Sequence, residues 1–166
     1  MIGVINYGLG NVQAFVNLYQ KLNIPVEVID TPEALSRAHK LILPGVGSFD
    51  WALQRLHDSG FIPYLNACVI EKKMPILGIC VGMQIMAERS KEGILPGLGW
   101  FRATVKRFES GKDKPALPHM GWNDVSPALD NALFNQLDVE PRFYFLHAYH
   151  FSLEEQDKEM ASSDYG

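Results

Sequence analysis

Cysteine is scarce in this 166-residue chain: Cys68 and Cys80 are the only two. That excludes a dense disulfide framework and a cysteine-rich zinc site, although the two thiols could bridge under oxidation. Long apolar runs are missing too, and residues 1–8 lack the basic start, apolar stretch and cleavage pattern of a secretory signal. A cytoplasmic protein with no membrane partner is the simplest reading. Nor is there a surplus of positive charge. Fifteen Lys and Arg against nineteen Asp and Glu leave a formal charge of -4, which offers no general attraction to nucleic acid or an anionic bilayer. No repeat, long low-complexity segment or linker-like stretch divides the chain, so residues 1–166 read as one domain.

What is present is a core and an alternation. With 47% hydrophobic residues the chain can bury a sizeable interior. Residues 2–6 form a short apolar run ending in Tyr7-Gly8-Leu9-Gly10-Asn11, after which Val12, Phe15, Val16, Tyr19 and Leu22 recur at helical spacing. Residues 26–29 predict a second strand, and Thr31-Pro32-Glu33 the cap and first turn of a helix. Leu41-Ile42-Leu43 predicts a third strand, closed by Pro44-Gly45-Val46-Gly47. Ser48 then caps a helix carrying Phe49, Leu53 and Leu56 that stops at Gly60. Residues 61–72 predict another helix and 74–79 a fourth strand. Strand and helix in alternation imply an α/β fold, a mostly parallel open sheet covered on both faces. Loops at 7–11, 44–47 and 78–82 then share its carboxyl edge, where ligand sites of such sheets form. Further on, 103–108 and 143–147 predict strands, 110–118 a polar connection, and 154–159 a solvated turn or helix.

The most chemical of these loops is Gly78-Ile79-Cys80-Val81-Gly82, an apolar run turning into a helix-compatible segment. In a nucleophile elbow, glycines on either side let two backbones approach closely while the central side chain stands exposed. Free N–H groups at a helix start favour a thiolate, and the Val81 amide together with the Gly45-Val46-Gly47 loop are candidate donors to a developing oxyanion. Taken alone, the string also describes a buried structural cysteine at a tight junction, and the other two glycine loops read as ordinary turns.

Six segments in order change that balance: Asn6-Tyr7-Gly8-Leu9-Gly10-Asn11, Leu43-Pro44-Gly45-Val46-Gly47-Ser48-Phe49, Gly78-Ile79-Cys80-Val81-Gly82-Met83-Gln84, Pro96-Gly97-Leu98-Gly99-Trp100, Pro118-His119-Met120-Gly121-Trp122-Asn123 and Tyr144-Phe145-Leu146-His147-Ala148-Tyr149. Through them the chain resembles the class I glutamine amidotransferases, and within them more closely the glutaminase subunits of imidazole glycerol phosphate synthases. The resemblance implies a three-layer, flavodoxin-like domain that hydrolyses L-glutamine to glutamate and ammonia through a Cys80 thioester, with no cofactor or metal. The partner it implies is a (β/α)8-barrel cyclase subunit, which receives the ammonia and forms imidazole glycerol phosphate in histidine synthesis. By the same resemblance Gly47 and Val81 serve the oxyanion, and Gly45, Gln84, His147, Ala148 and Tyr149 hold glutamine. Asn11, Trp122, Asn123 and Tyr144 face the partner. At Ala148 the family usually has serine, so a contact there would have to use backbone.

One part of the chemistry is missing from these residues. A cysteine amidotransferase needs a histidine oriented by a carboxylate. The family supplies both from a Phe-His-Pro-Glu segment near the C-terminus, beyond the Tyr-Gly that here is Tyr165-Gly166, and no such segment occurs in the sequence. The expectation is therefore a domain lacking its C-terminal strand, helix and catalytic pair, with reduced solubility. The alternative is a short relative that keeps the scaffold and regulates a synthase without hydrolysing glutamine. Among the five histidines, His39 and His57 fall in helical or connecting regions, His119 in a partner-side motif, and His147 is the best internal substitute for the base, ahead of His150. Two other readings stay open: ammonia supply to a cyclase-like partner modifying a nucleotide sugar, and a different cysteine hydrolase that uses His147.

Overall fold

The computed structural model describes residues 1–128, 132–137, 141–154 and 160–165. Its first half is a four-stranded parallel sheet in the order β2-β1-β3-β4, formed by β1 (Ile2–Ile5), β2 (Val26–Ile29), β3 (Lys40–Pro44) and β4 (Ile76–Ile79). Side chains alternate across a strand, and the sequence uses both faces. Val4 and Ile42 pack with Val16, Val12 and Phe15 on the side of α1 (Val12–Lys21). Ile5, Leu41 and Leu43 pack on the opposite side, against Phe49, Leu53 and Leu56 of α2 (Phe49–Asp58) and Phe61 and Leu65 of α3 (Phe61–Asn66). Three layers result. Leu43, Leu56 and Leu65 are fully buried, and burying each such side chain contributes about 1.5–3 kcal/mol.

Local signals set the helix ends. The Asn11 side-chain oxygen accepts from the Ala14 amide at 3.1 Å and starts α1. α2 ends at Asp58, and Gly60 follows at φ 74° in the left-handed conformation that glycine tolerates. The predicted Ser48 cap takes another form: no Ser48 side-chain bond is made, and the Glu92 carboxylate accepts from the Phe49 amide at 2.9 Å instead. Thr31-Pro32 opens a 3-10 turn over Pro32–Arg37 rather than an α-helix, while α3 runs into a π-helical turn over Ala67–Glu71.

The second half is built from smaller sheets. α4 (Val81–Gln84) is a single turn, followed by β5 (Ala87–Ser90), which pairs parallel to β6 (Phe101–Arg107). β7 (His119–Asp124) forms an antiparallel ribbon with β9 (Arg142–His147), and β10 (Tyr149–Leu153) runs antiparallel to β6. A short pair, β8 (Ser126–Pro127) with β11 (Ala161–Ser162), completes the described strands. The sheet is thus mostly parallel only in the first half. Of the predicted 154–159 turn, residues 155–159 lie outside the described residues. No helix among those described is long and apolar enough to cross a membrane.

Candidate active site

Three loops converge at the carboxyl edge of the parallel sheet. β4 delivers Cys80, which is exposed and adopts φ 56° and ψ −124° immediately before α4. A non-glycine residue at positive φ is strained, and such strain typically costs about 1–3 kcal/mol. Glycine beneath it makes the turn possible: a Cβ on Gly82 would lie 2.0 Å from the Leu43 carbonyl oxygen, and one on Gly45 would lie 2.2 Å from the Gly82 nitrogen. The Pro44–Ser48 loop therefore rests directly on the cysteine turn. On its far side, a Cβ on Gly10 would meet Pro44 Cβ at 2.7 Å. Arg55 of α2 closes the edge with its guanidinium over Gly8 and 6.0 Å from the Trp51 ring.

The sequence-derived oxyanion donors sit around this turn. Val81 is buried and opens α4, so its amide has no intrahelical acceptor. The Met83 and Gln84 amides return to the Cys80 carbonyl at 3.0 and 3.2 Å. Because α4 has only four residues, any helix field at Cys80 reduces to these local amides. Gly47 is exposed at φ 90°, two residues beyond Gly45.

Residues expected to hold glutamine meet at one carbonyl. Gln84, nearly buried, donates from Nε2 to the Tyr149 oxygen at 3.2 Å, and His147 Nδ1 lies 2.8 Å from the same oxygen. Facing a carbonyl, Nδ1 donates, while Nε2 is buried without a hydrogen-bond partner. Ala148 engages through backbone, its carbonyl accepting from the Phe108 amide at 3.1 Å. Gly78, Met83 and His147 share the wall of a cavity of about 950 Å³ with Trp100, Phe108 and His119. His119 stacks on Phe145 and Tyr165, and His150 stacks on Phe108. Burial, and then the charge of His147, press the His119 pKa below the ordinary histidine value. His150 is lowered chiefly by burial, against a Phe151 backbone bond that raises it. Among the described residues none of these rings hydrogen-bonds the Cys80 thiol, and no cluster of three His, Cys, Asp or Glu could hold a metal ion. Cys68 is buried, and both cysteines are free thiols.

The predicted partner face divides. Trp122 and Tyr144 are opposed across the ribbon, more than half exposed, with rings edge to face at 5.8 Å. Met120 and Leu146 extend the same exposed apolar face. Asn123 alternates to the other face, where its Nδ2 donates to the Asp164 carbonyl at 2.8 Å. The Asn11 side chain is exposed, its oxygen committed to α1.

Residues 3–166 match the glutamine amidotransferase class-I family. The chain belongs to the class-I glutamine amidotransferases. Within this family it is 51% identical over 168 residues to "Imidazole glycerol phosphate synthase subunit HisH" of Bdellovibrio bacteriovorus, covering 100% of this chain and 82% of that one. It is 44% identical to the HisH subunit of Leptospira interrogans with the same coverage, and 41% identical to "HisH 2" of Methanococcus maripaludis over 99% and 81% of the two chains. Solved amidotransferase folds superpose at lower identity. A glutamine amidotransferase crystal structure gives a TM-score of 0.67 at 20% identity over 93% of this chain and 75% of that one. A glutamine amidotransferase from Thermotoga maritima gives 0.60 at 20% over 99% and 67%.

Sequence reasoning missed two supports of the amidotransferase site. Glu92 holds the start of α2 directly after the Pro44–Ser48 loop, and the Tyr7 hydroxyl donates to the Pro44 carbonyl at 2.8 Å. Glu92 carried no signal because it lies 43 positions from its partner in a polar stretch. Tyr7 did carry one: an aromatic between a strand and a glycine turn needs a partner for its hydroxyl once buried.

Proposed function

We propose that this chain is the glutaminase component of an imidazole glycerol phosphate synthase, hydrolysing L-glutamine and passing ammonia to a (β/α)8-barrel cyclase. The observation that supports the reading is exposed Cys80 on its strained turn: Gly45 lies against Gly82 on one side of that turn, and Gln84, whose amide returns to the Cys80 carbonyl, bonds the Tyr149 oxygen on the other. Cys80 Sγ attacks the carboxamide carbon of glutamine, and the oxygen takes negative charge facing the amides of Val81 and of the Gly45–Gly47 loop. The proton given up by the thiol ends on the departing amide nitrogen, and ammonia leaves as the C–N bond breaks, giving a glutamyl thioester, which water converts to glutamate and free thiol. Gln84, His147, Ala148 and Tyr149 frame the amino-acid end of the substrate. Trp122 and Tyr144 offer the exposed apolar face on which the cyclase docks, and exposed Asn11 at the start of α1 is a further contact. Asn123 supports that face from behind through its bond to Asp164.

The test is glutamate release from L-glutamine, measured for the chain alone, with the cyclase, and with a family C-terminal segment carrying Phe-His-Pro-Glu appended. Release is expected to rise on addition of the cyclase and to disappear in Cys80→Ala. A variant that turns over at the parent rate removes Cys80 as the nucleophile. A second reading, a protein that binds and regulates an ammonia-using synthase without hydrolysis, is favoured by the lack of any imidazole bonded to the thiol among the described residues. It predicts cyclase binding and altered ammonia-dependent turnover with no glutamate formed.

A further inference from the structure

We infer that Tyr7 is a positioning residue for the oxyanion loop, its hydroxyl fixing the orientation of the Pro44–Gly45 peptide beside Cys80; this rests on the glutaminase reading of the site. The Tyr7 side chain is 2% exposed at the end of β1, and its O–H donates to the Pro44 carbonyl at 2.8 Å. Because a peptide unit is planar, holding the Pro44 oxygen also sets the direction of the Gly45 N–H. That unit is confined on two sides by backbone. Gly10 lies against Pro44, where a Cβ would stand 2.7 Å from Pro44 Cβ and 3.3 Å from the Gly45 nitrogen, and Gly45 lies against the Gly82 nitrogen. These contacts fix where the loop is, but steric contact does not choose which way its peptides point. Glycine on both sides of Val46 leaves the loop free to rotate them. A directional bond from a buried hydroxyl removes that freedom, and preorganised amides are what an oxyanion requires.

The phenol suits this task and no other at the site. Burial first, and the neighbouring Cys80 charge second, hold its pKa well above the usual tyrosine value. It therefore remains a protonated donor throughout the neutral range, unsuited to act as a base toward the thiol.

Tyr7→Phe keeps the ring and deletes only the hydroxyl. Three measurements on the 166-residue chain decide the matter: amide hydrogen exchange by peptide, the rate of Cys80 labelling by an electrophilic glutamine analogue, and the rate of its alkylation by iodoacetamide. Exchange in residues 44–48 is expected to rise about tenfold while the β1 and β2 amides are unchanged. The maximal labelling rate by the analogue should fall about tenfold at an unchanged half-saturating concentration, with iodoacetamide alkylation altered less than about twofold. Unchanged exchange in 44–48 overturns the proposal, as do exchange that rises throughout the chain, equal slowing with both reagents, or an effect confined to half-saturation. If the parent chain reacts with iodoacetamide and never with the analogue, the glutaminase reading fails, and exchange in 44–48 alone decides whether Tyr7 holds the loop.

Discussion

At Cys80 the geometry depends more on the residues without side chains than on the thiol itself. The positive φ places Sγ outside the turn, and the Leu43 carbonyl comes so close beneath that only hydrogen fits at Gly82. Gly82→Ala must therefore displace either β3 or the cysteine turn, since the obstructing atoms are backbone. Overpacking of this kind costs about 1–3 kcal/mol. A lower urea midpoint is expected, together with slower labelling of Cys80 by an electrophilic glutamine analogue. Parent-like values in both would mean that the turn relaxes without consequence. This contact was legible in the Gly-x-Cys-x-Gly spacing, because a nucleophile elbow requires close backbone approach. Glu92 was not legible, since a carboxylate in a polar loop gives no hint in sequence of the amide it will accept from.

Among the elements, the β7–β9 ribbon shows both what pattern reveals and what it hides. β9 was readable as Phe143-Tyr144-Phe145-Leu146-His147, a run rich in strand-favouring residues. β7, His119-Met120-Gly121-Trp122-Asn123-Asp124, mixes glycine, asparagine and aspartate, and becomes a strand through its register with β9. β5 escaped notice for the same reason, being four residues long and defined by its pairing with β6. The inner side of the ribbon concentrates imidazoles: His119 and His147 from its two strands, with His150 of β10 and the Tyr165 ring packed around Phe108. His119 and His150 both have pKa values below the ordinary value of about 6.5. As the pH falls below that value the unfolded chain takes up these protons before the folded one. Their stabilising contribution is therefore complete above about pH 6.5 and is lost as the pH falls through the folded pKa values, with a slope of at most about 1.4 kcal/mol per unit for each group. Urea midpoints at descending pH should show this loss, and His119→Gln should make the dependence shallower. An unchanged slope would assign the effect to other groups.

For the whole molecule, the parallel half is legible because its strands are short, largely apolar runs that each meet a glycine or proline within three residues, and because helices pack on both its faces. At one edge the parallel sheet ends at β4. Among the described residues β4 pairs with β3 alone, and Leu77 on that strand is 39% exposed. Ile76 and Leu77 form part of the wall of the 950 Å³ cavity, together with Met83, Phe101, Phe151 and Leu153. An apolar edge strand is a template for another strand, and proteins protect such edges with charge, above all lysine. The 166-residue chain is therefore expected to self-associate as its concentration rises, through the β4 edge. Light scattering over a concentration series measures this directly. Leu77→Lys should lower the association without changing the far-ultraviolet circular dichroism, because the exposed side chain places its ammonium in solvent while the β3–β4 pairing uses backbone. Association at the parent level in a folded Leu77→Lys chain would move the contact away from this edge, leaving the exposed face of Met120, Trp122, Tyr144 and Leu146 as the surface to substitute next.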